Sequence, residues 1–353
     1  MAITSANAET RFLVVGAGAI GGFIGACLSR VPEFRVTLIA RGPHYHAMKA
    51  EGLKVTLEGH SKTPSEFVAK DLNVCMNLEQ SAPHGPFDVV LLAVKAHQLI
   101  DIARDRFWKA NIHAETVLVP LQNGLPWYMF LVRPVTDKFH GTRLKCVDPT
   151  GELEAAFESQ RIVGCIAMPA CSIDRPGHIL HEHGWSFPLP SGPKAQLLAD
   201  QLRKGGFQPR CYEDFEVELW VKIVGSAFFN PASALTGAVL GDFAQDPRIV
   251  SLTYRVMDEV RAVAKAVGKT IPVSNERRLK GAAKIGDHKT SMLQDVEAGK
   301  SALEVEALVG TVVEIAELTK TPVPTLSVVY DLMCMKQRSL KRAEEQRQKK
   351  ANL

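Results

Sequence analysis

The chain has 353 residues, 46% of them apolar and 23% charged, with a formal net charge of +4. That is the balance of a globular protein long enough for two cores rather than one. So small a positive charge argues against a nucleic-acid binder, which concentrates basic residues in a stripe, but it suits a protein whose ligands are anionic. No run approaches the ~18 uninterrupted apolar residues of a membrane span. Cysteines at 27, 75, 146, 165, 171, 211 and 334 are scattered and form no Cys-x-x-Cys pair, which points away from a disulfide framework and toward a reducing compartment. The first ten residues, MAITSANAET, lack the basic start and apolar stretch of a secretory leader, so the expected location is cytoplasmic.

In chain order, residues 12–15 (FLVV) read as a strand, succeeded by a glycine turn and a helix over 20–28. Further strands are expected at 35–40 (RVTLIA), 87–94 (FDVVLLAV) and 116–121 (TVLVPL), with an amphipathic helix near 98–108 between the last two. Continuous apolar strands separated by helices are what a parallel sheet buried on both faces requires. Residues 53–59 and 161–190 are richer in β-branched and turn residues and are expected to add antiparallel strands at one edge of that sheet. Past Glu213 the pattern becomes helical, at roughly 214–229, 248–266, 289–298, 302–319 and 325–337. These segments predict an α/β Rossmann-like domain over 1–212 and an all-α domain over 213–353, the second serving substrate binding and homodimer formation. The basic tail at 336–350 (KQRSLKRAEEQRQKK) has no apolar face and reads as a solvated helix end or frayed terminus.

The strand FLVV runs directly into Gly16-Ala17-Gly18-Ala19-Ile20-Gly21, a match to G-x-G-x-x-G in the strand–turn–helix setting that dinucleotide binding needs. The glycines allow a tight turn, close approach of backbone to a pyrophosphate, and close helix–strand packing. The helix start adds free N–H groups and the positive end of a dipole. An enzyme using NAD would place a carboxylate at the end of the second strand to hold the ribose hydroxyls. This chain has Arg41 there, and a guanidinium can bind a 2′-phosphate, so NADPH is preferred. Two further strand ends carry Lys95 and Asn123, placed to face a nicotinamide and a substrate carboxylate, although Asn123-Gly124 also suits a simple turn.

In ELWVKIVGSAFFNPASALTG the only charge between Trp220 and Leu240 is Lys222. Lys222, Ser226 and Asn230 are four residues apart and line one helix face. A polar stripe on an otherwise apolar helix borders a cleft or meets a polar partner, and a desolvated lysine suits proton transfer near neutral pH. A partner carboxylate is expected near Ser291–Asp295 or among Glu304 and Glu306, which the residues alone do not separate. A metal site from His178, His181 and His183 is not expected, because alternation on a strand and surface exposure account for them.

Taken together, GAGAIG at 16–21, ARG at 40–42, VKAHQ at 94–98 and LQNG at 121–124 resemble the ketopantoate reductase (2-dehydropantoate 2-reductase) family. The likeness continues in W-x-K with NP eight residues beyond the lysine, KTSMLQDVEAGK at 289–300 and LEVEALVG at 303–310. The resemblance implies a Rossmann domain joined to a helical domain, and NADPH-dependent reduction of a 2-oxo acid to a 2-hydroxy acid. The implied substrate is ketopantoate, reduced to pantoate in pantothenate biosynthesis; another 2-oxo acid, or a non-catalytic NADP(H)-binding regulator, are the alternatives. It also implies that Lys222 supplies the proton, that Glu304 positions the substrate, that Lys95 and Asn123 lie beside the nicotinamide, and that Asn230 and Ser291 hold substrate polar groups. The chain departs from the family pattern at Ser226, where asparagine is usual and which is expected to face the substrate, and in the one-residue-longer spacing from Ser291 to Glu304. The segment 126–160 also departs, and is expected to form an extra hairpin or lid.

Overall fold

The computed structural model describes residues 9–57 and 65–351; most of the first ten residues, and Glu58 and Gly59 of the strand region expected at 53–59, lie outside them. The chain divides into two compact units. The first runs up to Gln122 and resumes over Glu152–Phe215, and the second combines Asn123–Gly151 with the chain from Glu216 onward. A single boundary near 212 therefore needs correction, because Asn123–Gly151 packs with helices that come much later in the chain.

The first unit contains β1 (Thr10–Val15), α1 (Ala19–Leu28), β2 (Phe34–Ile39), α2 (Gly42–Glu51), β3 (Leu53–Leu57), β4 (Ser65–Ala69), β5 (Asn73–Cys75), α3 (Leu78–Ser81) and β6 (Phe87–Leu92). It continues with α4 (Leu99–Arg104), β7 (Ile112–Pro120), α5 (Glu152–Ala156), β8 (Ala170–Arg175), β9 (His178–His183), β10 (Ser186–Pro190), α6 (Pro193–Lys204) and β11 (Gln208–Tyr212). Five strands pair in parallel in the order β5-β2-β1-β6-β7. The chain leaves β1 toward β2 and later returns to β1's other side with β6. The loop after β1 thus lies at the switch point, where ligands bind in open parallel sheets.

The strands expected at the sheet's edge instead form separate sheets. β4-β3-β9-β8 is a four-stranded mixed sheet in which β3 and β9 run parallel, and β10 pairs with β11 in parallel. The reason lies in α1, which is buried from Gly21 to Leu28. A helix apolar on all sides needs cover on both faces. A Cβ on Gly25 would come within 2.4 Å of Leu38 in the five-stranded sheet, and one on Gly22 within 2.5 Å of Ile179 in the other. The same packing corrects the expectation of exposed histidines. His181 is fully buried, stacked on Phe23 at 4.5 Å with Nε2 2.7 Å from the Gly184 carbonyl. His178 is also buried, between Thr56 and Asp174 at 2.8 and 3.0 Å, and His183 alone is exposed.

The second unit holds α7 (Phe215–Thr236), α8 (Pro247–Ala266), α9 (Asn275–Ile285), α10 (Ser291–Glu297), a π-helical turn at Glu306–Gly310, α11 (Thr311–Thr319) and α12 (Pro324–Ala351). α7 runs on through Pro231, beyond the stop expected near 229, and α12 carries the basic tail as continuous helix. Buried Val256, Met257, Val260, Val263 and Ala264 give α8 its apolar stripe. They share a core with Trp220, Ile223 and Val224 of α7 and with Leu125, Met129, Phe130 and Leu144. Met129, Phe130 and Leu144 explain the segment 126–160. It forms neither hairpin nor lid but a run of turns that supplies core side chains, ending in α5 of the first unit. Buried Arg133 anchors it, pairing with Glu216 and with Asp137 and donating to the Val267 carbonyl at 3.1 Å.

Candidate active site

In the first unit the glycine loop shows why each glycine is required. Gly16 has φ +99, and a Cβ there would lie 2.8 Å from Val94 Cγ1. A Cβ on Gly21 would lie 2.2 Å from the Gly16 carbonyl oxygen, so the loop and α1 can close only around glycine. Gly18 differs: a Cβ there would meet nothing within 4 Å. Its lack of a side chain therefore serves something other than the protein's own packing, as close approach of a phosphate would require. Gly18 caps α1 without a side-chain hydrogen bond, and the first turn of Ala19 and Ile20 contains no acidic residue, which leaves an uncapped helix start suited to an anion.

Around this loop the strand ends are tied together. The Gln122 side chain donates to the Leu92 and Val94 carbonyls at 2.7 and 2.9 Å, and the Lys95 N–H donates to Gln98 Oε1 at 3.2 Å. Arg41 caps α2 in extended backbone, is exposed, and its side chain bonds to no described residue. It is a free cation at the end of β2.

In the second unit, Lys222, Ser226 and Asn230 are half-buried, whereas Ile223, Val224, Gly225, Ala227, Phe228 and Phe229 are buried, so the polar stripe lies on one face as spaced. Lys222 Nζ donates to Asn123 Oδ1 at 2.9 Å, bringing together two residues 99 positions apart in sequence. The next two residues hold Asn123 in place. Gly124 adopts φ +93, and a Cβ on it would fall 1.9 Å from the Ala307 carbonyl oxygen. Leu125 N–H donates to that same oxygen at 3.0 Å, and Thr311 Oγ1 to it at 2.9 Å. The π-helical turn exposes a carbonyl that the tight Asn-Gly turn occupies; single π-turns are frequent at functional sites. The helix expected over 302–319 begins at 305 and runs unbroken to 319, widened to a π-turn at the point where it serves Asn123. Leu303, Ala307, Leu308 and Val312 face the core as expected.

The remaining residues separate by their partners. Glu304 is 6% exposed, whereas Glu306 accepts a hydrogen bond from the Tyr330 hydroxyl at 2.7 Å. Ser226 Oγ donates back to the Lys222 carbonyl at 3.0 Å, so its one donor is used within the helix and is not directed at a ligand as expected. Ser291 opens α10 behind the Thr290 cap, and neither its hydroxyl nor the Asn230 amide bonds to a described residue. Arg278 of α9 escapes sequence reasoning, which assigns no element to NERRLKGAAKI; its Nη2 donates to the Lys222 carbonyl at 3.3 Å.

A glycine loop at the switch point of a parallel sheet, and a lysine–asparagine pair in a helical unit, define a nicotinamide-dependent oxidoreductase of two-unit architecture. The profile described as Ketopantoate reductase PanE/ApbA matches residues 12–189, and that described as Ketopantoate reductase PanE/ApbA C terminal matches 214–337. A 2-dehydropantoate 2-reductase of Mesorhizobium japonicum is 37% identical over 92% of this chain and 96% of its own length. Among solved structures, a candidate ketopantoate reductase from Ralstonia solanacearum MolK2 is 31% identical, with TM-score 0.84 over 95% of this chain and 99% of that one. A 2-dehydropantoate 2-reductase from Methylococcus capsulatus is 26% identical, with TM-score 0.73 over 94% and 97%. The chain belongs to the ketopantoate reductase family.

Proposed function

We propose that this enzyme reduces a 2-oxo acid to the 2-hydroxy acid with NADPH, and that 2-dehydropantoate, on the way to pantothenate, is its substrate. The observation that carries the reading is the Lys222–Asn123 hydrogen bond, 2.9 Å long, on an otherwise apolar helix. A regulator that only bound a dinucleotide would gain nothing from that pair. The loop Gly16, Gly18, Ala19, Ile20 and Gly21 would hold the pyrophosphate, with Arg41 at the 2′-phosphate and Lys95 and Asn123 near the nicotinamide. When bound, the reduced nicotinamide supplies a hydride. Lys222 holds a proton at the substrate's carbonyl oxygen and gives it up as negative charge develops there, and Asn123 fixes the direction of the ammonium. Glu304, 6% exposed, is taken as the positioning carboxylate, the position to which the family resemblance points. Asn230 and Ser291 supply uncommitted polar groups for the substrate, while Ser226 acts on the helix backbone. The free cysteines suit a cytoplasmic setting.

Initial rates with NADPH across a panel of 2-oxo acids test the reading, which fails if none is reduced. Within it, Arg41→Ala is expected to remove most of a preference for NADPH over NADH, about 1–3 kcal/mol for a charge-assisted pair. Equal affinities for the two cofactors in the unmodified enzyme would contradict the Arg41 assignment.

Two glycine substitutions separate ligand from fold. Gly18→Ala, with open space around its Cβ, is expected to leave stability within about 0.5 kcal/mol while weakening NADPH at least ~10-fold. Gly21→Ala, whose Cβ meets the Gly16 carbonyl at 2.2 Å, is expected to destabilise the first unit outright. Thermal melts and fluorescence titration read both. If NADPH binds Gly18→Ala normally, the phosphates lie elsewhere.

A further inference from the structure

Arg278 is turned inward from α9 against α7. Its Nε is buried and has no hydrogen-bond partner, while Nη2 donates to the Lys222 carbonyl at 3.3 Å. The guanidinium takes part of the place a side chain at 225 would fill: a Cβ on Gly225 would lie 2.8 Å from Nε and 3.0 Å from the Phe229 ring. Glycine inside a helix costs roughly 0.5–1 kcal/mol relative to alanine, so its presence here answers to the arginine and the Phe229 ring together. Positions 225 and 226 come three and four residues after Lys222, which puts them on the lysine's side of the helix. Among the described residues no carboxylate pairs with Arg278, and burial pushes its pKa down.

Arg133, in the same unit, shows what a settled buried arginine looks like, with Glu216 and Asp137 both in contact. A partly buried cation left without an anion is costly. Arg278 nonetheless sits beside the backbone of the residue assigned to proton transfer, with Nη1 bonded to no described residue.

We propose that Arg278 anchors the carboxylate of the substrate through its terminal nitrogens and thereby selects 2-oxo acids over neutral carbonyl compounds. The proposal rests on the reading of this enzyme as a 2-oxo acid reductase. Nε, wedged over Gly225, fixes the plane of the guanidinium, and the free end offers the fork geometry that carboxylates accept.

The test uses the full-length enzyme with NADPH, 3-methyl-2-oxobutanoate and the methyl ester of that acid. Arg278→Gln is expected to raise KM for the acid by about 10- to 100-fold, with a much smaller change in kcat and less than about threefold change for the ester. Arg278→Lys should fall between, since it keeps the charge but loses the fork, and it serves in place of the glutamine variant should that one fail to fold. Equal losses for acid and ester would assign Arg278 to holding α9 on α7 and overturn the proposal, as would an unchanged KM for the acid. Calorimetric binding of the acid to the NADP-loaded enzyme separates this proposal from the broader one. If the unmodified enzyme binds the acid and Arg278→Gln does not, yet no 2-oxo acid is reduced, the reductase reading fails while Arg278 stands. If it turns over the acid and Arg278→Gln binds it as tightly, only the Arg278 assignment fails.

Discussion

Lys222→Met is expected to lower kcat by at least ~100-fold and to leave NADPH affinity within a few-fold of normal. Proton donation from a positioned side chain contributes about 10²–10⁴-fold, and methionine keeps the apolar stem while removing the proton. The stem packs on a helix whose adjacent residues Ile223 and Val224 are buried, so the thermal midpoint should move little. Asn123 loses its 2.9 Å donor, but the pair is half-buried and water can replace the ammonium. Steady-state rates and a melting curve read the outcome together. A folded Lys222→Met enzyme with near-normal kcat would remove Lys222 from the chemistry. A variant that unfolds would show that the lysine is needed for structure instead.

Gly124→Ala is expected to destabilise the helical unit by about 2–4 kcal/mol, a large effect for one methyl group. Two causes add. Left-handed backbone costs a non-glycine residue roughly 1–2 kcal/mol, and here the new Cβ would also lie 1.9 Å from the Ala307 carbonyl oxygen. The turn must retreat, which breaks the Leu125-to-Ala307 hydrogen bond and carries Asn123 away from Lys222. Gly141 is the control: its φ is +73, but a Cβ there meets nothing within 4 Å, so Gly141→Ala isolates the conformational cost. Denaturant midpoints compare the two. Equal losses would mean that the contact with the π-turn carries no energy.

How far sequence alone reveals this molecule depends on the range over which each signal acts. β1, the glycine loop and α1 are legible because turn, strand period and helix start all lie within about twenty residues. The stripe of Lys222, Ser226 and Asn230 is legible because helical spacing is local. The Lys222–Asn123 bond depends on a long excursion through 123–151, whose core residues Leu125, Met129, Phe130 and Leu144 show no regular period. α9 is hidden because only Leu279 and Ala282 of it are buried, too few to mark a face. His178 and His181 look like surface residues from their polarity, whereas a second sheet over α1 encloses them. The Tyr330–Glu306 hydrogen bond is hidden for the same reason, since the two residues lie 24 positions apart and meet only in the folded chain.

The interleaving of the two units has a consequence for how the gene can be cut and recombined. The chain passes between the units at Gln122–Asn123, at Gly151–Glu152 and again at Phe215–Glu216. A fragment ending at Phe215 would keep Leu125, Met129, Phe130 and Leu144 without the helices that cover them, and one beginning at Glu216 would keep those helices with part of their core missing. Neither half is a module. Exchange of substrate-binding parts between relatives by simple end-to-end crossover would leave both halves with exposed apolar surface. New specificities in such a chain therefore arise more readily by point substitution on surfaces such as the Lys222 face than by shuffling whole domains.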